Sequence, residues 1–132
     1  MDEIQAAVLS VKLKYLDADN ERRKQIARYY ENAISNPLIN IPKNEADCVY
    51  HIFPILARHR EELQRHLAEN GISTMIHYPI PPHRQKCYSD WQTPPLPITE
   101  YIHESELSLP CNQTMTDAEA EYVAEKIKEW KK

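Results

Sequence analysis

The sequence predicts an α+β fold: a small mixed or antiparallel sheet of about three strands covered by helices. Three observations carry this. Apolar residues recur at helical spacing near both termini and over 59–70. Short β-rich runs fall at 48–56, 72–78 and 106–110, and these runs are interleaved with the helical segments. At 132 residues the chain fits one domain with a modest core.

The opening "MDEIQAAVLSVKLKYL" reads as helix with two apolar stripes. Ile4, Val8, Val11 and Tyr15 form one; Ala6, Leu9, Leu13 and Leu16 form the other, on the opposite side. A helix with two stripes packs between two bodies, and no capping residue precedes Met1. The segment is therefore expected to face a domain or subunit outside this chain. Asp17 to Asn20 reads as a polar break before a second helix. That helix turns Ile26, Tyr30 and Ala33 inward, leaves its "ERRKQIAR" charges solvated and ends at Asn36-Pro37.

"CVYHIFPIL" (48–56) is apolar on both alternating faces, as an inner strand would be, with Pro54 marking a bulge or an edge and His51 mid-strand. Residues 59–70 form a helix with Leu63 and Leu67 inward, closed where Gly71 supplies a positive φ. "ISTMIHY" (72–78) and "ELSLP" (106–110) read as strands joined by a long proline-rich loop. In the last helix Thr116 and Glu119 form a capping box, and Ala120, Val123, Ile127 and Trp130 line the buried face. The organisation is a helical segment over 1–34 followed by an α+β core over 48–132.

Composition excludes several functions. Sixteen Lys and Arg against twenty Asp and Glu leave a net charge of −4, which argues against nucleic acid or an anionic membrane as partner. No apolar run approaches the ~20 residues of a membrane span, and the first residues do not read as a signal peptide. Cys48, Cys87 and Cys111 lack paired metal or redox spacing, so reduced thiols in a cytosolic compartment are expected. The single glycine, Gly71, leaves no glycine-rich phosphate loop.

The densest cluster of chemistry is "IHYPIPPHRQ" (76–85). His77 and His83 find no matching cysteine or carboxylate pair for zinc. Pairing of His77 with Cys87 or Cys111 as a nucleophile is geometrically open but unselected. A proline-stiffened recognition loop is the third reading, presenting His77, Tyr78, Arg84 and Gln85 at low ordering cost. Simple strand-end packing of His77 and Tyr78 is as well supported, and the residues alone leave the two open. His51, His59, His66 and His103 read as sheet-face or solvated histidines.

Taken together, "MDEIQAAVLSVKL" (1–13), "LDADNERRKQIARYY" (16–30), "VYHIFPI" (49–55), "REELQRHLAENGISTMIHYPIPPHRQKCY" (60–88) and "LSLPCNQTMTDAEAEYVAEKI" (107–127) resemble a known family. It is the C-terminal domain of the DegT/DnrJ/EryC1/StrS pyridoxal-phosphate-dependent sugar aminotransferases. The resemblance implies the small domain of a fold-type-I aminotransferase, usually a homodimer with active sites at the subunit interface. Such an enzyme moves an amino group, typically from glutamate, to a keto group on a nucleotide-linked deoxysugar for cell-surface polysaccharide or glycoside biosynthesis. The opening is most similar to members acting on dTDP-linked 3-keto-6-deoxyhexoses.

It further implies that an N-terminal domain upstream of Met1 holds the cofactor, with its Schiff-base lysine, the acid facing the pyridine nitrogen and the phosphate cradle. Lys12, Lys14 and Lys43 do not match the family's lysine. No catalytic, cofactor-binding or metal residue is expected in this chain, which on its own would be inactive. By the same resemblance His77 and Tyr78 reach toward the sugar nucleotide, His83 and Gln85 brace the loop or touch substrate peripherally, and Arg60 is structural. The alternative is a free-standing, non-catalytic binding module derived from that domain.

Overall fold

A computed structural model describes residues 2–43 and 47–131. Five α-helices and three strands follow in the order α1 (Glu3–Lys12), α2 (Leu16–Ala33), β1 (Ile39–Asn40), β2 (Phe53–Ala57), α3 (Arg60–Glu69), α4 (Pro97–Ser105), β3 (Glu106–Leu109) and α5 (Asp117–Glu129) among the described residues. The sheet has the order β1-β2-β3 and both pairings are antiparallel, Ile39 opposite Ala57 and Phe53 opposite Leu109. The class is α+β, as the interleaved periodicities predict.

The core lies between the sheet and α2, α3 and α5. Tyr30, Ile55, Ala57, Leu63, Leu67, Leu107 and Ile127 are all fully buried. Tyr30 packs edge-on against Phe53 at 5.2 Å and donates its hydroxyl to the Pro110 carbonyl at 2.9 Å, so its polar tip is satisfied inside. Burial pushes the Tyr30 pKa upward. α2 therefore belongs to the core from Ile26 onward, whereas α1 buries none of its residues.

Local rules hold at the ends of α1, α3 and α5. Thr116 and Glu119 form the expected capping box on α5. Gly71 has φ +74, its N–H bonding Ala68 O and the next N–H, of Ile72, bonding Leu67 O. That pair of bonds is a Schellman closure of α3. At α1 the cap is Asp2, inside the stretch read as helix: its carboxylate accepts the Gln5 N–H at 2.8 Å and Gln5 returns the bond.

Several expectations are corrected. The break between the first two helices is not at Asp17–Asn20 but in a 3-10 turn at Leu13–Tyr15, and the polar residues form the first turns of α2. Acidic Asp17 and Asp19 suit that position, next to the positive end of the helix. The strand expected over 48–56 is shorter and begins at Phe53, so His51 is an exposed bend residue. Pro54 does lie in β2, opposite Ser108. Ser108 turns its own N–H and C=O away, to Met75, so Pro54 has no ladder bond to lose.

The strand expected over 72–78 reduces to a single bridge, Met75 to Ser108. The His77 N–H is taken by the Glu106 carboxylate at 2.7 Å instead of a strand carbonyl, and the ladder ends there. Part of the proline-rich loop is helix α4, with Pro97 at its first turn, where a missing N–H costs nothing. The "ERRK" charges are not merely solvated: Arg22 donates to the Met115 carbonyl at 2.7 Å and pairs with Asp117 at 2.8 Å, and Arg23 reaches Gln113 at 2.7 Å. Asn36 does more than end α2, since its amide donates to the Ile127 and Trp130 carbonyls at 3.0 Å and caps the end of α5.

Candidate functional site

β3 places the site by its alternation. Leu107 and Leu109 point into the core, so Glu106 and Ser108 share the opposite face, and both are buried. His77 lies across from them. Its backbone N–H donates to Glu106 Oε2 at 2.7 Å, its Nδ1 lies 2.9 Å from Ser108 Oγ, and that hydroxyl donates to Glu106 Oε1 at 2.6 Å. The three groups close a ring of hydrogen bonds behind the imidazole. His77 also borders a depression of about 200 Å³, together with Ser108, His51, Thr74, Met75 and Cys111.

Tyr78 continues outward. Its ring meets that of His77 edge-on, at 5.6 Å and 87°, and the residue is 68% exposed. The peptide bond between the two is cis. The Tyr78 carbonyl accepts from His103 Nδ1 on α4 at 2.6 Å, and the His103 carbonyl accepts from Arg60 on α3 at 2.5 Å. A chain of two bonds thus fixes the Tyr78 backbone to the helical layer. Arg60, read from the sequence as structural, makes this bond to a carbonyl 43 positions away. His103 and His66, whose Nε2 lies 2.9 Å from the Lys126 carbonyl, are bridges between elements and not simply solvated groups.

The loop beyond is braced by α4. Pro81 is buried, 3-10 turns cover Pro82–Arg84 and Lys86–Tyr88, and His83 Nε2 lies 3.2 Å from Glu100 Oε1. Arg84 pairs with the same oxygen at 2.8 Å. The Arg84 guanidinium, and secondarily His83, hold the Glu100 carboxyl below the usual carboxylate range. Gln85 is exposed. So the structure brings His77 and Tyr78 together at one edge of the sheet and anchors His83 to α4, away from the depression.

Glu106 and Ser108 are the residues that sequence reasoning missed. A signal was present: a strand buried on both faces should be apolar throughout, and "ELSL" alternates. A carboxylate on a buried strand face needs partners, and the nearest are those of the loop from the next strand-like segment.

Other chemistries fare worse. Among the described residues no cluster of three His, Cys, Asp or Glu could hold a metal. Cys111 lies at the edge of the depression, but burial pushes its thiol up to about 11, which leaves little thiolate at neutral pH. The depression does not fit pyridoxal phosphate: no lysine borders it, and the one glycine closes α3 rather than a phosphate loop. No helix among the described residues is long and apolar enough to cross a membrane.

The three-stranded antiparallel α+β unit that carries this edge superposes on solved structures of fold-type-I sugar aminotransferases. The chain belongs to the DegT/DnrJ/EryC1/StrS aminotransferase family, whose sequence model matches residues 1–128. It is 50% identical over 129 residues to the dTDP-3-amino-3,6-dideoxy-α-D-galactopyranose transaminase of Aneurinibacillus thermoaerophilus, covering 96% of this chain and 36% of that one. The dTDP-3-amino-3,4,6-trideoxy-α-D-glucose transaminase of Streptomyces venezuelae is 36% identical over 136 residues, with 98% and 36% covered.

Among solved structures, S. venezuelae DesV in complex with a ketimine intermediate matches with a TM-score of 0.93 at 36% identity, covering 98% of this chain and 36% of that one. NtdA from Bacillus subtilis, with bound cofactor PMP, matches with a TM-score of 0.87 at 32% identity, covering 96% and 32%. The chain thus spans about a third of the length of the relatives it matches.

Proposed function

We propose that this chain is the C-terminal, substrate-side domain of a pyridoxal-phosphate-dependent aminotransferase acting on a nucleotide-linked keto sugar. Its substrate class would be dTDP-3-keto-6-deoxyhexoses and its donor glutamate. The observation that carries this is the His77–Tyr78 edge: an imidazole braced from behind and a phenol ring largely in water, held by two helices at the end of a sheet. Rigid scaffolding of exposed polar and aromatic groups is the arrangement that binds polar ligands at low ordering cost. The names of two relatives that cover nearly all of this chain support dTDP-linked sugars.

The cofactor and its lysine are then supplied by an N-terminal domain, and the exposed apolar faces of α1 are where that domain or a second subunit packs. Pyridoxal phosphate bound there would supply the electron sink that amino transfer needs. The role of this chain is to bind and orient the sugar: His77 and Tyr78 contact it, while His83 and Gln85 hold or flank the loop. A cytoplasmic homodimer is the state this reading implies.

Titration of the isotope-labelled 132-residue chain with dTDP-glucose tests it. Resonances of His77 and Tyr78 should shift while those of α5 stay fixed. Shifts confined to the α1–α2 elbow, or none at millimolar ligand, would contradict the placement.

A further inference from the structure

The ring behind His77 has a consequence for what His77 offers a ligand. Ser108 Oγ carries one hydrogen, and the geometry directs it to Glu106 Oε1 at 2.6 Å. Toward His77 Nδ1, at 2.9 Å, the hydroxyl can then only accept. The other Glu106 oxygen accepts the His77 N–H at 2.7 Å, so both oxygens of the carboxyl group serve as acceptors in the ring. The direction of donation around the ring is therefore fixed, with hydrogen on Nδ1. His77 Nε2 has no hydrogen bond to any described residue, and His77 lines the depression.

We infer that Glu106 and Ser108 are positioning residues that hold His77 in its Nδ1–H form, so that Nε2 meets the ligand as a hydrogen-bond acceptor suited to a sugar hydroxyl rather than to a phosphate oxygen. A neutral imidazole has one donor and one acceptor nitrogen, and the partner of the first decides the role of the second. A phosphate oxygen is acceptor-only and finds nothing to bond at an unprotonated Nε2. A hydroxyl donates to it. The selectivity of the edge for the hexose over the diphosphate thus traces to two buried side chains on β3. This rests on the proposed reading of His77 as a ligand contact, but the tautomer is measured without ligand, so the two ideas fail separately.

The test is the long-range ¹H–¹⁵N spectrum of the labelled, ligand-free 132-residue chain, at a pH above the ordinary histidine range. His77 is expected to show the Nδ1–H pattern, with the large downfield nitrogen shift at Nε2. Ser108→Ala should collapse this to a mixture, the two nitrogen shifts moving toward each other, while core amide resonances confirm the fold. Ser108→Thr, which restores a hydroxyl, should recover the parent pattern. An Nε2–H pattern in the parent chain overturns the inference, as does a His77 pattern that Ser108→Ala leaves unchanged.

Discussion

Gly71 occupies the one place in the described chain where a glycine's φ is used, at +74 after α3, and a Cβ built there would meet nothing within 4 Å. Its role is conformational alone. Gly71→Ala should therefore cost about 1 kcal/mol, the αL penalty partly offset by a stiffer unfolded chain. Chemical denaturation checks this; an unchanged midpoint would mean that the turn relaxes at no cost. Gly71 and Thr116 were legible in the sequence because their partners lie within a few residues. Glu106, Ser108, Arg60, Asn36 and His103 were not, because each acts on a group 25 to 94 positions away, and only the fold brings the two together.

Among the elements, α1 was legible from periodicity, and α3 and α5 from periodicity and caps, since helices satisfy their backbone bonds internally. Strand assignments were weaker for the opposite reason. "ISTMIHY" has strand composition, yet a side-chain carboxylate takes the His77 N–H and the segment pairs only at Met75. α4 was hidden by the prolines around it, although Pro97 starts the helix and does not break it.

α4 also determines how the proline-rich loop responds to pH. Its Glu100 accepts from Arg84 and faces His83, and its carboxyl lies below the usual range chiefly because of Arg84. A depressed carboxylate contributes anchoring that is present above the ordinary value of about 4.3 and is lost as pH falls through the lowered folded value. The Glu100 side-chain carbon, followed by NMR, should titrate with a midpoint below that ordinary value, and Arg84→Ala should move the midpoint back up. An ordinary midpoint in the parent chain would remove this anchor from the account.

Across the whole molecule, the two ends differ in kind. One is a closed core of β2, β3, α2, α3 and α5. The other is α1 with the turn that follows it, where Ile4, Val8, Leu9, Val11 and Leu13 are all at least half exposed. Singly exposed apolar residues are ordinary, whereas a helix exposing two apolar stripes is what a surface buried in an assembly would look like. On the proposed reading that assembly is the complete aminotransferase, and the His77–Tyr78 edge is the half of its binding site that this chain contributes. The two-striped pattern of α1 was fully legible. The site was legible only as a loop of suitable residues, because what makes His77 a directed acceptor is the buried face of a strand thirty residues on.

The most direct test of that claim is steady-state turnover of a dTDP-linked keto sugar by the complete aminotransferase carrying this chain, with and without His77→Ala. Losing one hydrogen bond of about 1–1.5 kcal/mol to the sugar should lower kcat/KM roughly tenfold, with the cofactor's absorbance spectrum unchanged. Unaltered kinetics in the variant would contradict the account, because the edge on which the functional reading rests would then play no part in the reaction.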